Sequence, residues 1–218
     1  MGHKVHPKVH RLSTIYSWDS KWFSKNDFAK NLREDVLLRD FLRKELREAS
    51  LDKVEIERNR NNITVTIYSG KPGVVIGRSG AGIDVLKKKI LEMLYRGKRV
   101  ALNIQVSEVK QPALSSAIVA EQMAMDIEKR LPFSRVMKQA IERVSKAGAK
   151  GVKVATSGRL NGAEISRTEK LSSGKIPLQN LRADIDFACA TARTIYGAIG
   201  VKVWIYKGDV FESEKKSE

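Results

Sequence analysis

Apolar and polar residues follow two different periods in the first half of the chain. From about Phe28 to Ala49, apolar residues recur at three- and four-residue steps between charged ones, a pattern that predicts an amphipathic helix. The stretch KVEIERNRNNITVTIYS then alternates apolar and polar positions on either side of NRNN, which predicts a β-hairpin. The helix residues expected to face the core are Phe28, Leu32, Val36 or Leu37, Leu38, Leu42 and Leu46.

A glycine-rich segment, VVIGRSGAG at residues 74–82, follows the hairpin. Pro72 ends the second strand, and a short helix is expected before the glycines. A further helix starts near Gly82 and is followed by RVALNIQVSEV, whose alternation predicts a strand. The apolar face of that helix consists of Ile83, Leu86, Ile90 and Leu94. The order helix, strand, strand, helix, helix, strand predicts one α+β unit over residues 17–109.

A second unit is expected from residue 110 to residue 209. Two helices, Ala113 to Arg130 and Phe133 to Ala147, are separated by Leu131 and Pro132. The similar segments GVKVATS and GVKVWIY, together with LRADIDFA and a polar segment from Glu164 to Leu171, predict a mostly antiparallel sheet beneath the helices. The fold class is therefore α+β in both units. Residues 1–16 are expected to form a basic arm, and the polar residues 210–218 a disordered tail.

The helix from Phe133 has the most regular amphipathic pattern in the chain. At about 100° per residue its apolar and polar side chains separate onto opposite faces. The apolar face consists of Phe133, Val136, Met137, Ala140, Ile141 and Val144. The polar face consists of Arg135, Lys138, Gln139, Glu142, Arg143 and Lys146, so it is predominantly basic.

The overall charge indicates an anionic polymer as the partner. Lys and Arg number 41 against 25 Asp and Glu, which gives a formal charge of +16 and a pI near 10.0. Nucleic acid is the commonest partner of such a chain. No apolar run approaches the roughly twenty residues that span a bilayer, and no secretory signal begins the chain, so we expect a cytoplasmic protein without a membrane partner. A single cysteine, Cys189, agrees with a reducing compartment.

The glycine segment does not fit a nucleotide loop. A Walker A loop requires Gly-Lys-Ser or Gly-Lys-Thr, but Ile83 and Asp84 occupy those positions, and a dinucleotide fingerprint requires a parallel βαβ unit. A Gly-x-x-Gly loop between two helices in this element order is typical of a type II KH domain, which clamps about four nucleotides of RNA backbone. The expected RNA-binding residues are Gly77, Arg78, Ser79 and Gly80, with Lys87 and Lys88 on the following helix.

Several other residue patterns could carry chemistry and are given simpler interpretations. Asp184 and Asp186 share a predicted strand face and could act as paired catalytic carboxylates, but a surface ion-pair array is favoured. Cys189 has no histidine nearby in sequence and is expected to be a small buried residue. Arg159, in the turn SGRLNG, is either an RNA phosphate contact or an exposed turn residue. The aromatic residues Trp18, Trp22 and Phe23 are expected to cover the edge of a core.

No cofactor, small-molecule substrate, metal site or catalytic residue is predicted. The three histidines, His3, His6 and His10, lack a neighbouring carboxylate or thiol that would complete a metal site. A nucleic-acid-processing enzyme would require a cluster of carboxylates or histidines that the sequence does not show. A non-enzymatic RNA-binding protein is the interpretation that remains.

Long segments of the chain resemble the family of bacterial small-subunit ribosomal protein number three, the universal uS3 family. The similar blocks are MGHKVHP, WDSKWF, PGVVIGRSG, GAKGVKVATSGRLNGAEISRTE and LRADIDFACATARTIYGAIGVKVWIYKGD, so the resemblance runs nearly from end to end. It implies a KH domain and a family-specific C-terminal domain on the head of the small subunit. The implied partners are small-subunit (16S) rRNA, incoming mRNA, head proteins ten and fourteen, and proteins four and five at the mRNA entrance.

The resemblance also points to particular residues. The family carries a basic patch implicated in mRNA unwinding, and in FSRVMK its positions are matched by Arg135 and Lys138, while Ser134 departs from a position that is often basic. Arg143 and Lys146 extend the same face. Further rRNA contacts are expected at Lys4, His6, Lys8, Arg11, Arg159 and Arg167. A free KH-type RNA chaperone or regulator is the alternative, although it would need only residues 28–109.

Overall fold

A computed structural model describes residues 4–59, 62–95 and 100–211 of the chain. The chain divides into two compact units. One unit is Trp18–Lys110, and the other combines Met1–Ser17 with Gln111–Glu218. The N-terminal segment, expected to be a separate arm, thus belongs to the same unit as the C-terminal half. The expected tail lies outside the described residues from 212 onwards, while Val210 still donates its N–H to the carbonyl of Arg182 at 2.8 Å.

The helices and strands follow the predicted order, with two short additions near the N-terminus. The helices are α1 (Pro7–His10), α2 (Phe28–Glu45), α3 (Pro72–Ile76), α4 (Ala81–Leu94), α5 (Ser116–Glu128) and α6 (Phe133–Lys146). The strands are β1 (Ser20–Lys21), β2 (Leu51–Arg58), β3 (Asn62–Ser69), β4 (Ala101–Glu108), β5 (Gly151–Gly158), β6 (Arg167–Gly174), β7 (Ala183–Thr194) and β8 (Gly197–Asp209). The pattern did not reveal α1 and β1, because segments of two to four residues are too short to show a period.

The first unit has the αββααβ order of a type II KH domain. Its sheet has the order β1-β2-β3-β4. Strands β2 and β3 pair antiparallel, as predicted for a hairpin, whereas β4 pairs parallel to β3. Two turn residues of the predicted NRNN, Arg60 and Asn61, lie outside the described residues.

The N-terminal half of α2 faces the opposite way from the prediction. Leu38, Leu42 and Leu46 are buried as expected, but Phe28, Leu32, Val36 and Leu37 are exposed, and two acidic residues face inwards instead. The reason is an internal ion-pair cluster. Arg58 donates to Glu34 at 2.9 Å and to Asp35 at 2.7 Å. Asp35 also accepts the indole N–H of Trp22 at 2.8 Å, so the buried carboxylates are satisfied.

The aromatic residues before α2 do not behave alike. Trp22 is half-buried and packs against Phe28, with ring centroids 5.3 Å apart. Trp18 and Phe23, which were expected to cover a core edge, are exposed instead. They lie beside a two-residue strand that offers little surface to pack against.

The second unit places two helices on an antiparallel sheet, as predicted. The sheet has the order β6-β5-β8-β7, and all its pairings are antiparallel. The two segments that begin with GVKV are the neighbouring strands β5 and β8, in which Val154 pairs with Val203. Helix α5 packs on β7 and β8, whereas α6 packs on β5 and β6. Their shared core contains Met123, Val136 and other apolar side chains from both layers.

The N-terminal segment packs against β7, the edge strand of this sheet, and contacts residues of both its faces. Asp186 accepts the Ser116 N–H of α5 and also pairs with Lys8 of the N-terminal segment, whereas Phe187, on the opposite face, contacts the ring of His6 at a centroid distance of 4.9 Å. Cys189 has the same parity as Phe187 but is exposed, so the expectation of a buried cysteine is wrong. Among the helices of the described ranges, none is long and apolar enough to cross a membrane.

Candidate nucleic-acid interface

The glycine loop of the first unit is a compact turn between α3 and α4. Gly77 ends α3 with φ of +69°, and Arg78–Gly80 form a short 3-10 turn before α4 begins. A Cβ atom on Gly82 would lie 2.6 Å from the carbonyl oxygen of Val75, so the two helices approach at backbone contact. Glycine is therefore required there by packing, independently of any ligand.

The basic side chains around this loop lie at the surface. Arg78, Lys87 and Lys88 are exposed, while Leu86 and Ile90 hold α4 against the core. The neighbouring Lys89 pairs instead with Glu45 of α2. Helix α4 begins after Gly80, which has no side chain to cap it, and Asp84 lies in its first turn. The side chain of Ser79 lies outside the described part of the chain.

Helix α6 carries the second basic surface. Phe133, Val136, Met137, Ala140 and Val144 are buried, which confirms the predicted apolar face apart from the half-buried Ile141. The side chains at the surface are Arg135, Lys138, Gln139, Glu142, Arg143 and Lys146. The first turn contains no acidic residue and no side-chain cap, so the positive end of the helix dipole lies beside Arg135.

Arg167 lies at the start of α6 but belongs to the neighbouring strand β6. Its guanidinium lies 5.7 Å from the centre of the Phe133 ring, and its Nε is 3.6 Å from a carboxylate oxygen of Glu169. The sequence predicted Arg167 as a separate rRNA contact, because nothing local relates β6 to α6. The structure instead places Arg167 beside the first residue of α6.

The C-terminal end of the α6 face is less positive. Lys146 pairs with Glu142 at 2.7 Å, and the hydrogen bond and charge of Lys146 lower the pKa of Glu142. Both side chains are exposed, and an exposed pair of this kind contributes little stability. Phosphate can therefore compete for Lys146, whereas Arg135 lies in the first turn of the helix, where the backbone dipole adds to its charge, and Lys138 follows in the second turn.

Arg11 is not available to RNA, contrary to the expectation from the sequence. Its side chain is buried, and the guanidinium donates to the carbonyl oxygens of Pro7 at 3.0 Å, Leu178 at 2.9 Å and Asn180 at 2.7 Å. A guanidinium surrounded by main-chain carbonyls fixes the N-terminal segment to the loop before β7. It is a structural residue and does not belong to the interface.

Two other N-terminal residues predicted to contact rRNA, Lys8 and His6, make contacts within the protein instead. Lys8 pairs with the buried Asp186 at 2.9 Å, and Asp186 accepts the Ser116 N–H at 2.7 Å. Burial and the charge of Lys8 lower the pKa of His6, which favours its neutral form. Lys4 is exposed. Of the N-terminal candidates, Lys4 is therefore the one best placed to reach phosphate.

The acidic pair of β7 has a structural role. Asp186 is buried, so the predicted surface ion-pair array is wrong at this position. Asp184 accepts a hydrogen bond from the hydroxyl of Tyr16, and burial together with the Asp184 charge raises the pKa of Tyr16. Both carboxylates thus bind the N-terminal segment. Within the described ranges, no three His, Cys, Asp or Glu side chains come together as a metal site.

Arg159 has a role that the sequence did not suggest. It donates through Nε to the carbonyl of Ala163 at 2.9 Å and through Nη1 to the carbonyl of Tyr196 at 3.2 Å. These bonds link the turn after β5 to the tip of the β7–β8 hairpin. The two predicted alternatives, a phosphate contact and an exposed turn residue, both omitted this long-range link.

Comparison with known families and proteins gives matches over both units. The KH domain family model matches residues 37–114, and the model for "Ribosomal protein S3, C-terminal domain" matches residues 123–205. The small ribosomal subunit protein uS3 of Desulfitobacterium hafniense is 48% identical over 218 residues, covering 100% of this chain and 98% of the relative. The protein of the same name from Clostridium novyi is 50% identical over 216 residues, covering 99% and 96%. That of Caldicellulosiruptor saccharolyticus is 51% identical over 211 residues, covering 96% and 94%.

Proposed function

The chain belongs to the family of small ribosomal subunit protein uS3, whose members are structural and non-enzymatic, and we propose that it binds 16S rRNA and contacts mRNA where mRNA enters the small subunit. The observation that carries the mRNA contact is the basic surface at the start of α6. We call the exposed side chains Arg135 and Lys138 the α6 basic face; Arg167 lies at the same end of the helix, against the ring of Phe133.

The α6 basic face is suited to binding mRNA of any nucleotide sequence. Arg135 and Lys138 are three residues apart on one helix, so their side chains are neighbours on the surface. Exposed cations bind phosphates without reading bases, and the aromatic residue beside them, Phe133, is buried. Such a surface holds any mRNA by its backbone, which is what a common entrance requires.

Ser134 sets the strength of this surface. The family often has a basic residue at this position, whereas this chain has a neutral hydroxyl between Phe133 and Arg135. Strand separation in mRNA, where it depends on the start of this helix, therefore rests on Arg135 and Lys138, with Arg143 and Lys146 further along the same helix. We expect weaker unwinding than an additional charge at Ser134 would give, because each phosphate contact adds to the electrostatic attraction.

The KH loop and the remaining exposed cations provide the proposed contacts with rRNA. Arg78 lies in the glycine turn before α4, and Lys87 and Lys88 follow in the second turn of that helix. This arrangement fits the phosphates of an RNA strand. The proposed protein neighbours are head proteins ten and fourteen, and proteins four and five at the mRNA entrance, on cytoplasmic ribosomes.

A free KH-type chaperone or regulator is the competing function. It would use only the unit Trp18–Lys110 and leave the second unit without a role. The match to a uS3 protein at 48% identity covers 100% of this chain, including the second unit, and this favours the ribosomal function. Sedimentation of a lysate through sucrose separates the two, because the ribosomal function predicts co-migration with small subunits at low and moderate salt.

Ribosomes carrying Arg135→Ala with Lys138→Ala test the mRNA contact. We expect assembly to continue but translation through a stable mRNA hairpin to slow by roughly three- to tenfold, because two exposed ion pairs with phosphate contribute about 0.7–1.4 kcal/mol in all. Translation of an unstructured mRNA should be unchanged. Rates are measured by synthesis of a reporter placed behind the hairpin.

The matched control is Lys175→Ala with Lys202→Ala. These two exposed lysines lie in the same unit but outside α6, and the change in net charge is the same. The control should translate the hairpin mRNA at the parental rate. If both double variants slowed translation of the hairpin mRNA equally, the effect would come from the loss of net charge and not from the α6 position. If the α6 variant translated the hairpin mRNA at the parental rate, the proposed contact would be refuted.

A further inference from the structure

A groove of about 400 Å³ lies at the N-terminal end of α6. Three turns form it: the α5–α6 connection, the turn after β5 and the tip of the β7–β8 hairpin. We call it the hairpin groove. Its side chains include Arg130, Leu131, Asn161, Arg193, Ile195 and Tyr196. The sequence did not predict this site, because these residues come from three segments that are distant along the chain.

Tyr196 forms a fixed aromatic surface in the hairpin groove. A Cβ atom placed on Gly162 would lie 3.1 Å from the Tyr196 ring, so the ring rests against that glycine. The carbonyl of Tyr196 accepts a hydrogen bond from Arg159. The side chain nevertheless remains 52% exposed. Support on one side and exposure on the other leave a ring face on which a planar group can stack.

The charge of the groove favours an anionic occupant. Arg130 and Arg193 are exposed at its edge, and Arg159 lies in its wall. Among the described residues that line the groove, Glu128 is the one carboxylate, and it accepts the backbone N–H of Arg193 at 2.9 Å. An aromatic ring flanked by arginines is the arrangement that proteins use for bases and phosphates of unpaired RNA.

The size of the groove limits what can enter. A volume of about 400 Å³ lies at the lower end of the range for small-ligand sites, which suits one nucleotide. A base inside an RNA duplex is stacked on its neighbours and cannot present its face to Tyr196. The groove therefore selects unpaired RNA, whereas the α6 basic face attracts phosphate whether or not the strand is paired.

We propose that the hairpin groove binds one unpaired RNA nucleotide, whose base stacks on Tyr196 and whose phosphate pairs with Arg130 and Arg193. This inference rests on the proposed RNA-binding function and adds to it a site specific for single strands. Phe133, the first residue of α6, also lines the groove, so the site adjoins the α6 basic face. A nucleotide held there belongs to a strand that has already separated.

The test compares two fluorescent RNA probes on the full-length protein. One probe is a ten-nucleotide oligouridine and the other is a blunt RNA duplex, and binding is followed by fluorescence anisotropy at fixed salt. We expect Tyr196→Ala to weaken binding of the oligouridine about tenfold, or about 1.4 kcal/mol, which is within the range for one base–aromatic stack. Binding of the duplex should stay unchanged.

Two further variants guard against loss of structure. Tyr196→Phe keeps the ring and should bind both probes like the parent. Phe211→Ala removes an aromatic side chain of similar exposure, 54%, which lies 5.8 Å from the guanidinium of Arg182 in the same unit. This variant should also bind like the parent. If Phe211→Ala weakened oligouridine binding as much as Tyr196→Ala, the specific groove would be refuted.

The remaining outcomes separate this inference from the proposed function. If Tyr196→Ala binds oligouridine as tightly as the parent, the groove proposal is refuted. If ribosomes carrying the same variant also lose a neighbouring protein, the groove binds protein instead of RNA. The α6 double variant should weaken binding of both probes. If that variant binds both normally while Tyr196→Ala loses oligouridine, the α6 contact fails and the groove stands.

Discussion

Asp186 connects three parts of the second unit through one carboxylate. Burial alone would raise its pKa, but the charge and hydrogen bond of Lys8, together with the Ser116 N–H, lower the pKa below its usual value. The N-terminal segment, β7 and the start of α5 thus share this residue. The sequence showed two aspartates on one strand, but the partners of Asp186 lie 70 residues or more away, and no local pattern reports them.

Asp186→Asn should lower stability by about 1–3 kcal/mol at neutral pH, the usual range for hydrogen bonds to charged groups. Because the folded-state pKa is lowered, the stabilisation is present above the unfolded value of about 4 and is lost as pH falls through the folded value. The gap between parent and variant should therefore shrink between about pH 5 and pH 2. Urea unfolding at a series of pH values measures this, and a gap independent of pH would contradict it.

Gly80, in the glycine turn, and Gly82, in the first turn of α4, should respond differently to alanine. Gly82→Ala places a methyl group 2.6 Å from the Val75 carbonyl, so α3 and α4 must separate, at a cost of about 1–3 kcal/mol or more. Gly80→Ala meets nothing within 4 Å and bears only the strain of φ at +84°, about 1–2 kcal/mol. Urea denaturation should rank Gly82→Ala as the less stable variant, and the reverse order would mean that the helices do not approach so closely.

At the scale of elements, the periodic pattern predicted nearly every helix and strand. Helix α6 was predicted together with its buried face, because its apolar residues follow the helical period without exception. Helix α2 was predicted in extent but not in orientation over its first half. The pattern assumes that acids face water, whereas Glu34 and Asp35 are buried with Arg58, a partner on a different element.

The N-terminal segment is an element whose role only the folded structure shows. Arg11 bonds to a carbonyl 167 residues away, and Tyr16 and Lys8 bind the two aspartates of β7. Deletion of residues 1–17 should therefore speed amide exchange in β7 by at least tenfold while leaving the unit Trp18–Lys110 unchanged.

Hydrogen-exchange mass spectrometry of the full-length chain and of the chain without residues 1–17 reports both units in one measurement. Lys4→Ala, which removes an exposed charge from the same segment, should leave exchange in β7 at the parental rate. If the amides of β7 exchanged as slowly after the deletion as before it, residues 1–17 would contact the second unit without stabilising it. Faster exchange throughout both units would instead indicate global unfolding and would contradict a local role.

At the scale of the whole molecule, charge and element order led to the class of partner and to the KH domain, whereas the family followed from the resemblance of long sequence blocks. A surplus of basic residues predicted a nucleic-acid partner, and the Gly-x-x-Gly turn within αββααβ predicted the KH domain. The candidate surfaces were less predictable. Arg11 looks in sequence like Lys4, yet one is buried and the other exposed, and the hairpin groove exists only where three distant turns meet.

The proposed contact between the start of α6 and mRNA can be tested by crosslinking. A photoreactive benzoylphenylalanine in place of Ser134, an exposed residue next to Arg135, tests it directly in assembled ribosomes. Light should crosslink the protein to mRNA that extends downstream of the decoding site, and not to mRNA that ends there. Crosslinks to rRNA alone with both mRNAs would show that α6 lies away from the mRNA path.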